Sequence, residues 1–446
     1  MFKAYSRLWA IPAESLSSAT IGLLLGISLA LPLLIGLAVD NVWPLIITVA
    51  CGVGIIAVIL LLEVELFFTL LFPVAFIIAS HHLLLLFLAL LILSLIINRL
   101  SAYNLSVLVP FPLILLLLVI SSVIGFMHAF NPVSGAYCLR YLYLYPIVAF
   151  IVVYNISPST RHVGWNLMIF SVIASLIGFS GIVYYLRTGL ERQIPGWHSQ
   201  NLVANFFGIM LPFTLLQLID SDRWWKRGVW AFIFTGILAG IFVTQTRAVI
   251  LSSMVAVLYL AWHDRRVLKI FTPALVVGIV VAPALILTRI QMFLGKGSIP
   301  DWSTIGRIEV WTNSWNLIKT SYINGLGLDS FRYIYPIKYP NAFLPAEHPH
   351  NSIWKWWFDI GIYGLFAYCL VIVNCWRRSG IKLSAPKSRE WNAESRLLLA
   401  INAGIISVLI AATMDVPLHN PHVVTLFWIF LAYQLLLGTR VTREAE

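Results

Sequence analysis

The chain has 446 residues, 60% of them hydrophobic and only 11% charged, with a formal net charge of +11 and a mean hydropathy of +0.90. So few charged side chains cannot cover a water-soluble globule of this size, so the bilayer must be the solvent. The positive charge is accompanied by no basic stripe or nucleic-acid motif, which excludes nucleic acid as a partner and leaves membrane topology as its explanation.

Taken in chain order, the N-terminal segment carries Lys3 and Arg7 ahead of the first apolar run. No small-residue cleavage pattern closes that run, so a retained first helix is expected rather than a signal peptide. Apolar runs follow near 18–38, 43–62, 64–80, 83–98, 106–127, 138–154, 163–186, 201–219, 228–246, 247–262, 269–289, 352–376, 396–415 and 421–438. A span needs about 20 apolar residues to cross roughly 30 Å of hydrocarbon, and lipid leaves no partner for an unpaired backbone group, so these runs read as helices. They are continuous and rich in Leu and Ile, unlike the alternating ten-residue segments of a membrane barrel. Several are short or abut. The fold class is therefore an all-α polytopic integral membrane protein, a single transmembrane domain over 1–446 with 12–14 apolar runs. The cysteines Cys51, Cys138, Cys369 and Cys375 lie in or beside these runs without metal-ligand spacing or a disulfide framework.

If the N-terminus is cytoplasmic and the runs alternate, Arg99, Arg161, Arg223, Lys226, Arg227, Arg265, Arg266, Lys269 and the basic stretch 377–396 all fall on the cytoplasmic side, as do Arg440 and Arg443. This satisfies the positive-inside bias across several short loops and places both termini in the cytoplasm. The basic residues left outside include Arg140, Arg187, Arg192, Arg247, Arg289, Arg307 and Lys355. Solvation alone accounts for an outside lysine such as Lys296, Lys319 or Lys338, whereas arginines at helix ends suit an anionic group at the membrane boundary.

The longest hydrophilic stretch, 291–351, falls on the periplasmic side. Within it Ile308, Trp311, Trp315 and Ile318 repeat at helical spacing, with Ser303 or Thr304 as cap, which predicts a short amphipathic helix resting near the membrane. Gly325 and Gly327 follow, and then a Tyr/Pro-rich passage from 333 to 349 that should be irregular. Asn351 is placed to cap the next span, Trp354, Trp356 and Trp357 to form an aromatic belt, and Gly361 and Gly364 to admit a neighbouring helix.

Three places on this face could carry chemistry: Thr244-Gln245-Thr246-Arg247-Ala248, Gly306-Arg307-Ile308-Glu309-Val310-Trp311, and His348-Pro349-His350-Asn351. Two arginines can clamp a diphosphate through their planar forks of donors, where a lysine is only a point charge. A histidine of ordinary pKa near 6.5 is mostly neutral at neutral pH and can take a proton from a sugar hydroxyl. An interfacial histidine is more often structural than catalytic, and a helix-end arginine can simply snorkel, so position alone does not carry the case. His348 is the weaker alternative base, separated from His350 by Pro349. The outside acids Asp40, Glu191, Asp301, Glu309, Asp329, Glu347, Asp359 and Asp415 show no close carboxylate pair, and no His cluster marks an evident metal site.

His350-Asn351, nine residues, Gly361, two residues and Gly364 resemble the signature of the O-antigen ligase family of lipopolysaccharide assembly. Arg247 in its Thr-x-Thr-Arg-Ala setting, and Arg307 upstream of Trp311, resemble the two arginines that accompany that histidine. Asn201-Leu-Val-Ala-Asn205 at the entry to a span is similar to the wider superfamily shared with O-antigen polymerases. The resemblance covers about 195–375 as motifs. It implies about twelve spans with one large periplasmic loop containing short helices, in the inner membrane of a Gram-negative cell. It also implies a glycosyltransferase with neither nucleotide nor metal and no cofactor, and the absence of a paired carboxylate system makes the expected displacement an inverting one. Such an enzyme moves O-antigen from undecaprenyl diphosphate to a sugar hydroxyl of lipid A-core. The resemblance makes His350, Arg247 and Arg307 catalytic, while on the charge argument Arg140, Arg187, Arg192 and Arg289 are secondary phosphate contacts, and Asn351 and His348 complete the expected substrate-binding set. A polymerase or protein-glycosylating ligase using the same donor is the nearer rival, and a flippase of lipid-linked sugars is the rival of another class. A flippase would favour paired repeats and charges at mid-membrane.

Overall fold

The computed structural model describes residues 107–189, 200–269, 302–344, 346–379 and 392–445, with single positions at 69, 73, 92, 194 and 272. The apolar runs at 18–38, 43–62, 64–80, 83–98 and 269–289 lie outside the described residues apart from those single positions and residue 269, as do Arg192 and Arg289. Every other expected run is helical. The described helices are α1 (Pro112–Met127), α2 (Pro132–Cys138), α3 (Tyr145–Ile156), α4 (Thr160–Thr188), α5 (Gln200–Asp220), α6 (Trp224–Thr244), α7 (Arg247–His263), α8 (Trp302–Ile318), α9 (Phe331–Lys338), α10 (Ser352–Arg378), α11 (Ala393–Ala412) and α12 (Pro421–Ala445). A π-helical turn, Leu139–Leu144, fuses α2 to α3, and a 3-10 turn, Pro417–His419, precedes α12. Among the described residues there is no ladder of strands, and seven helical stretches are long and apolar enough to cross a membrane. Pro112–Met127 and Arg247–His263 are shorter apolar helices.

The chain divides into two compact units, Met1–Val107 with Asn155–Ile169, and Leu108–Tyr154 with Phe170–Glu446. In the first, the Asn166 amide donates to the Thr69 carbonyl at 3.4 Å and the Arg161 guanidinium lies over the Trp165 ring at 4.4 Å. The remaining contacts described here belong to the second unit.

In that unit α5 packs against α6, α7 and α11, α11 against α7 and α12, and α1 against α10. Lipid tails are as apolar as leucine, so helices in a bilayer associate through close packing and interhelical hydrogen bonds rather than through hydrophobic burial. Both devices are present. Gly236 of α6 sits so close to α4 that an added Cβ would lie 2.2 Å from Ser175 Oγ, and Gly240 is similarly closed by Phe207. Across the bundle, Gln434 donates to Asn402 at 2.7 Å and Trp428 to the Tyr368 hydroxyl at 2.9 Å.

The stretch between α7 and α10 differs from expectation in three ways. The described part of α8 already includes Trp302, so Ser303 and Thr304 are positions within the helix rather than before it. Its packed face is Val310, Ser314, Leu317 and Ile318, whereas Ile308 and Trp315 are exposed. The Tyr/Pro-rich passage is irregular only in part, because Phe331–Lys338 is helical. Phe331 and Tyr335, one turn apart, bury themselves with Val310, Leu317, Ile318 and Phe358 in a small core of their own. That burial outweighs the cost of Pro336 within the helix.

The glycine pair of α10 also acts differently from expectation. Gly361 is non-helical, with φ 68° and ψ −177°, and it breaks α10. The segment it admits is the loop 322–327, not a neighbouring helix: an added Cβ would lie 2.0 Å from the Ile323 carbonyl oxygen. The loop satisfies the backbone groups that the break frees. Leu326 N–H donates to the Phe358 carbonyl at 2.7 Å, and Ile362 N–H donates to the Ile323 carbonyl at 3.1 Å. Trp357 Nε1 reinforces the seam by donating to the Tyr322 carbonyl at 2.8 Å. Trp356 is not part of an exposed belt; it is buried and stacked on Tyr368 at 3.9 Å.

Candidate active site

His350 stands immediately before α10. Asn351 caps that helix, its side-chain oxygen accepting from the N–H groups of Ile353 and Trp354, while its amide donates to the Thr413 carbonyl at 3.0 Å. Ser352 donates to the Asp415 carbonyl at 3.3 Å. These two bonds lay the entry of α10 against the 413–416 segment that follows α11. His350 itself has φ 47°, a left-handed conformation that is uncommon outside glycine and that marks functional sites when the surroundings hold it.

That docking brings Asp415 to His350, with Nδ1 to Oδ1 at 3.5 Å. The second oxygen of Asp415 accepts from the Asn201 side-chain amide at 2.8 Å, and Asn201 Oδ1 accepts from the Thr246 hydroxyl at 3.3 Å. A chain of side chains thus runs from the histidine, through α5, to the residue preceding Arg247. Burial pushes the Asp415 carboxyl up, but His350, the Val416 N–H and the charge relation with His348 outweigh it and hold the carboxyl below the ordinary range. His348 packs edge-on against His350 with ring centroids 4.5 Å apart. Burial first, and then the neighbouring His350, push His348 down to about 3, so it is neutral at physiological pH.

The arginines take distinct places. Arg247 is exposed at the first position of α7, after a tight turn in which Gln245 is left-handed. Half-buried Arg307 lies on α8, one turn before Trp311, whose Nε1 donates to the Pro349 carbonyl at 3.0 Å. Both arginine-bearing elements are therefore tied to the His350 segment, α7 through Thr246 and Asn201 and α8 through Trp311. Arg140 is exposed on the π-helical turn, its guanidinium 5.6 Å from the Tyr141 ring centre. Arg187 is exposed in the last turn of α4.

The reading of the outside acids as lacking a close carboxylate pair needs correction. Asp329 and Asp359 share buried Lys355, whose ammonium donates to them at 3.3 and 3.0 Å. Tyr143 adds a donor to Asp359 at 3.0 Å, Asp329 N–H another at 3.2 Å, and Ser134 and Arg332 both reach Asp329. Burial pushes Asp329 up, but His419, Lys355 and Ser134 hold it well below the ordinary carboxylate range. His419 is pushed down by burial and by Lys355. The signal for this network was the spacing Lys355 to Asp359, one helical turn apart inside an apolar segment, where ionisable residues are costly unless paired. The expected lack of a His cluster also fails in three dimensions. His348, His350 and Asp415 each present a ligand atom, all within 4.8 Å of one another, and Cys138, Asp329 and His419 do the same. Chain distance hid both groups, since Asp415 is 65 residues from His350 (415 − 350).

A histidine at a membrane-entry cap, backed by a buried carboxylate and tied to two arginine-bearing helices, is equipped for proton removal beside an anionic leaving group. Comparison with known families bears on the same region. Residues 230–369 match the O-antigen ligase family model. The match contains Arg247, Arg307 and His350, while Asn201 and Asp415 lie outside it. No curated protein matches the chain.

Proposed function

We propose that this chain is an inverting glycosyltransferase of the O-antigen ligase type, with its site on the periplasmic face of a Gram-negative inner membrane and both termini cytoplasmic. The donor is O-antigen on undecaprenyl diphosphate and the acceptor a sugar hydroxyl of lipid A-core. The observation that carries the reading is the pairing of half-buried His350 with buried Asp415, tied by hydrogen bonds to the helices that bear Arg247 and Arg307.

In this reading Asp415 holds the Nδ1–H tautomer of His350 and leaves Nε2 free to accept the proton of the acceptor hydroxyl. Their 3.5 Å separation exceeds that of a formed hydrogen bond and shortens when the acceptor docks. The acceptor oxygen forms its bond to the anomeric carbon as the bond from that carbon to the phosphate oxygen breaks. The departing diphosphate takes the electron pair, and Arg247 and Arg307 stabilise its charge, assisted by Arg140, Arg187, Arg192 and Arg289. One displacement without a covalent glycosyl intermediate inverts the configuration. Asn351 acts by capping the mount of His350, and His348 lines the base.

The deciding experiment reconstitutes purified protein with lipid-linked glycan, with and without lipid A-core, in excess chelator and without ATP. A ligase transfers only when lipid A-core is present. Chain extension of the donor without lipid A-core identifies a polymerase, and movement of donor across the bilayer without a new glycosidic bond identifies a flippase. Activity that returns only on adding magnesium or manganese would overturn the metal-independent mechanism.

A further inference from the structure

His350 Nδ1 and His348 Nδ1 are both enclosed, and neither has a hydrogen-bond partner among the described residues. Two enclosed imidazole nitrogens beside one carboxylate form an unusual group to leave unsatisfied, because an unpaired buried polar atom gives up its hydration for nothing. The spacing offers an explanation. Two ligands held about 2.0–2.1 Å from a tetrahedral zinc ion lie about 3.3–3.4 Å apart. The 3.5 Å between His350 Nδ1 and Asp415 Oδ1 is long for a hydrogen bond and close to that tetrahedral edge. His348 supplies a third ligand atom within 4.8 Å of both. Pro349 keeps the two histidines off a common helix face while their rings meet edge-on. The other carboxylate oxygen of Asp415 is fixed by Asn201, the outer hydrogen bond that a metal-binding carboxylate normally has.

We propose that His348, His350 and Asp415 form an inhibitory site for a divalent transition metal of imidazole preference, zinc above all. The inference goes beyond the transferase reading, and its consequence for transfer rests on that reading. Zinc bound at Nδ1 of His350 replaces the proton there, and that proton moves to Nε2. The ring stays neutral, but its outward nitrogen becomes a donor and cannot take the acceptor proton. Zinc thus switches off the base by reversing its tautomer, with no change of fold.

The test is a competition titration of zinc chloride against a chromophoric chelator, using the full chain in lipid nanodiscs. The wild type takes one zinc per chain. His348→Ala and Asp415→Asn each weaken binding by at least about 100-fold, and Asn201→Ala by about 10-fold. Cys138→Ser, which dismantles the other candidate ligand group, leaves the affinity unchanged. Thermal melts of each variant separate lost ligation from lost folding, and His348→Gln is the alternative should His348→Ala not fold. No stoichiometric zinc in the wild type, or loss on Cys138→Ser with retention in folded His348→Ala, would overturn the site. Binding is read without any glycan, so failure of the transferase reading leaves this outcome intact. If both readings hold, zinc halts transfer and chelator restores it.

Discussion

At the scale of single residues, the proposed mechanism divides its work between a base and a pair of charge clamps. Asp415→Asn keeps the size of the side chain but turns an amide toward Nδ1, favouring the wrong tautomer. Transfer should fall by about 10²–10⁴-fold, in the range expected for loss of general-base help and close to the effect of His350→Ala. Arg247→Lys and Arg307→Lys should fail nearly as badly as the alanine changes, because an ammonium cannot supply the bidentate fork. Initial rates with lipid-linked donor test both, and near-normal rates for both lysine variants would reduce the clamp to a general electrostatic role.

At the scale of elements, the break in α10 organises the site, because loop 322–327 plugs the frayed helix and leads directly to Asp329. Gly361 occupies a region of backbone space that is essentially reserved for glycine, and its missing Cβ makes room for the Ile323 carbonyl. Gly361→Ala should therefore destabilise the protein by more than the about 1–3 kcal/mol of backbone strain alone, read as a drop in melting temperature in detergent. Proteolytic nicking at the 322–327 loop should rise with it.

The far ends of α5, α7 and α11 are tied by a second device. Arg396 donates to Asp220 at 2.7 Å and to Asp264 at 2.8 Å, and Arg266 donates to both acids. Arg396→Ala leaves the largely buried Asp264 with one guanidinium instead of two, and a loss of about 1–3 kcal/mol is expected. Burial pushes Asp264 up, but Arg266 and Arg396 outweigh it and lower its pKa to about 2 from the ordinary 3.8. A depressed carboxyl stabilises the fold above its unfolded pKa, and that contribution is lost as pH falls through the folded value. Melting temperature should therefore be insensitive to this group above about pH 5 and fall between about pH 4 and 2. In Arg396→Ala that acid step should begin at higher pH.

At the scale of the whole molecule, α5 carries Asn201 of the histidine site at one end and Asp220 of the ion cluster at the other. At 1.5 Å per residue the two stand roughly 30 Å apart, the thickness of the hydrocarbon layer. Arginines at the Asp220 end and the histidine site at the opposite end give the topology its testable form. A cysteine introduced at Ser384 should be inaccessible to a membrane-impermeant thiol reagent in intact cells, and one at Ser298 accessible. Labelling of Ser384→Cys from outside would invert the orientation and remove the proposed site from the periplasm.

Hydropathy by itself determined that the chain is helical and membrane-embedded, because the need to satisfy backbone groups in lipid acts on each run independently of its neighbours. The cap beside His350 was equally legible, since Asn351 acts within a short stretch of chain. Tertiary structure alone decided the partner of His350. Asp415 and Asn201 are polar residues at helix ends like many others in this chain, and only the docking of 413–416 on the α10 entry singles them out. Sequence spacing marked Gly361 as a position needing a small residue, but what it makes room for is a loop seated in a broken helix. That break depends on hydrogen bonds to residues 322–327, which no periodicity within α10 encodes. Long-range geometry likewise turned outside acids without visible pairing into a carboxylate pair closed around Lys355, because a buried ammonium is tolerable only where the fold brings its counter-charges to it.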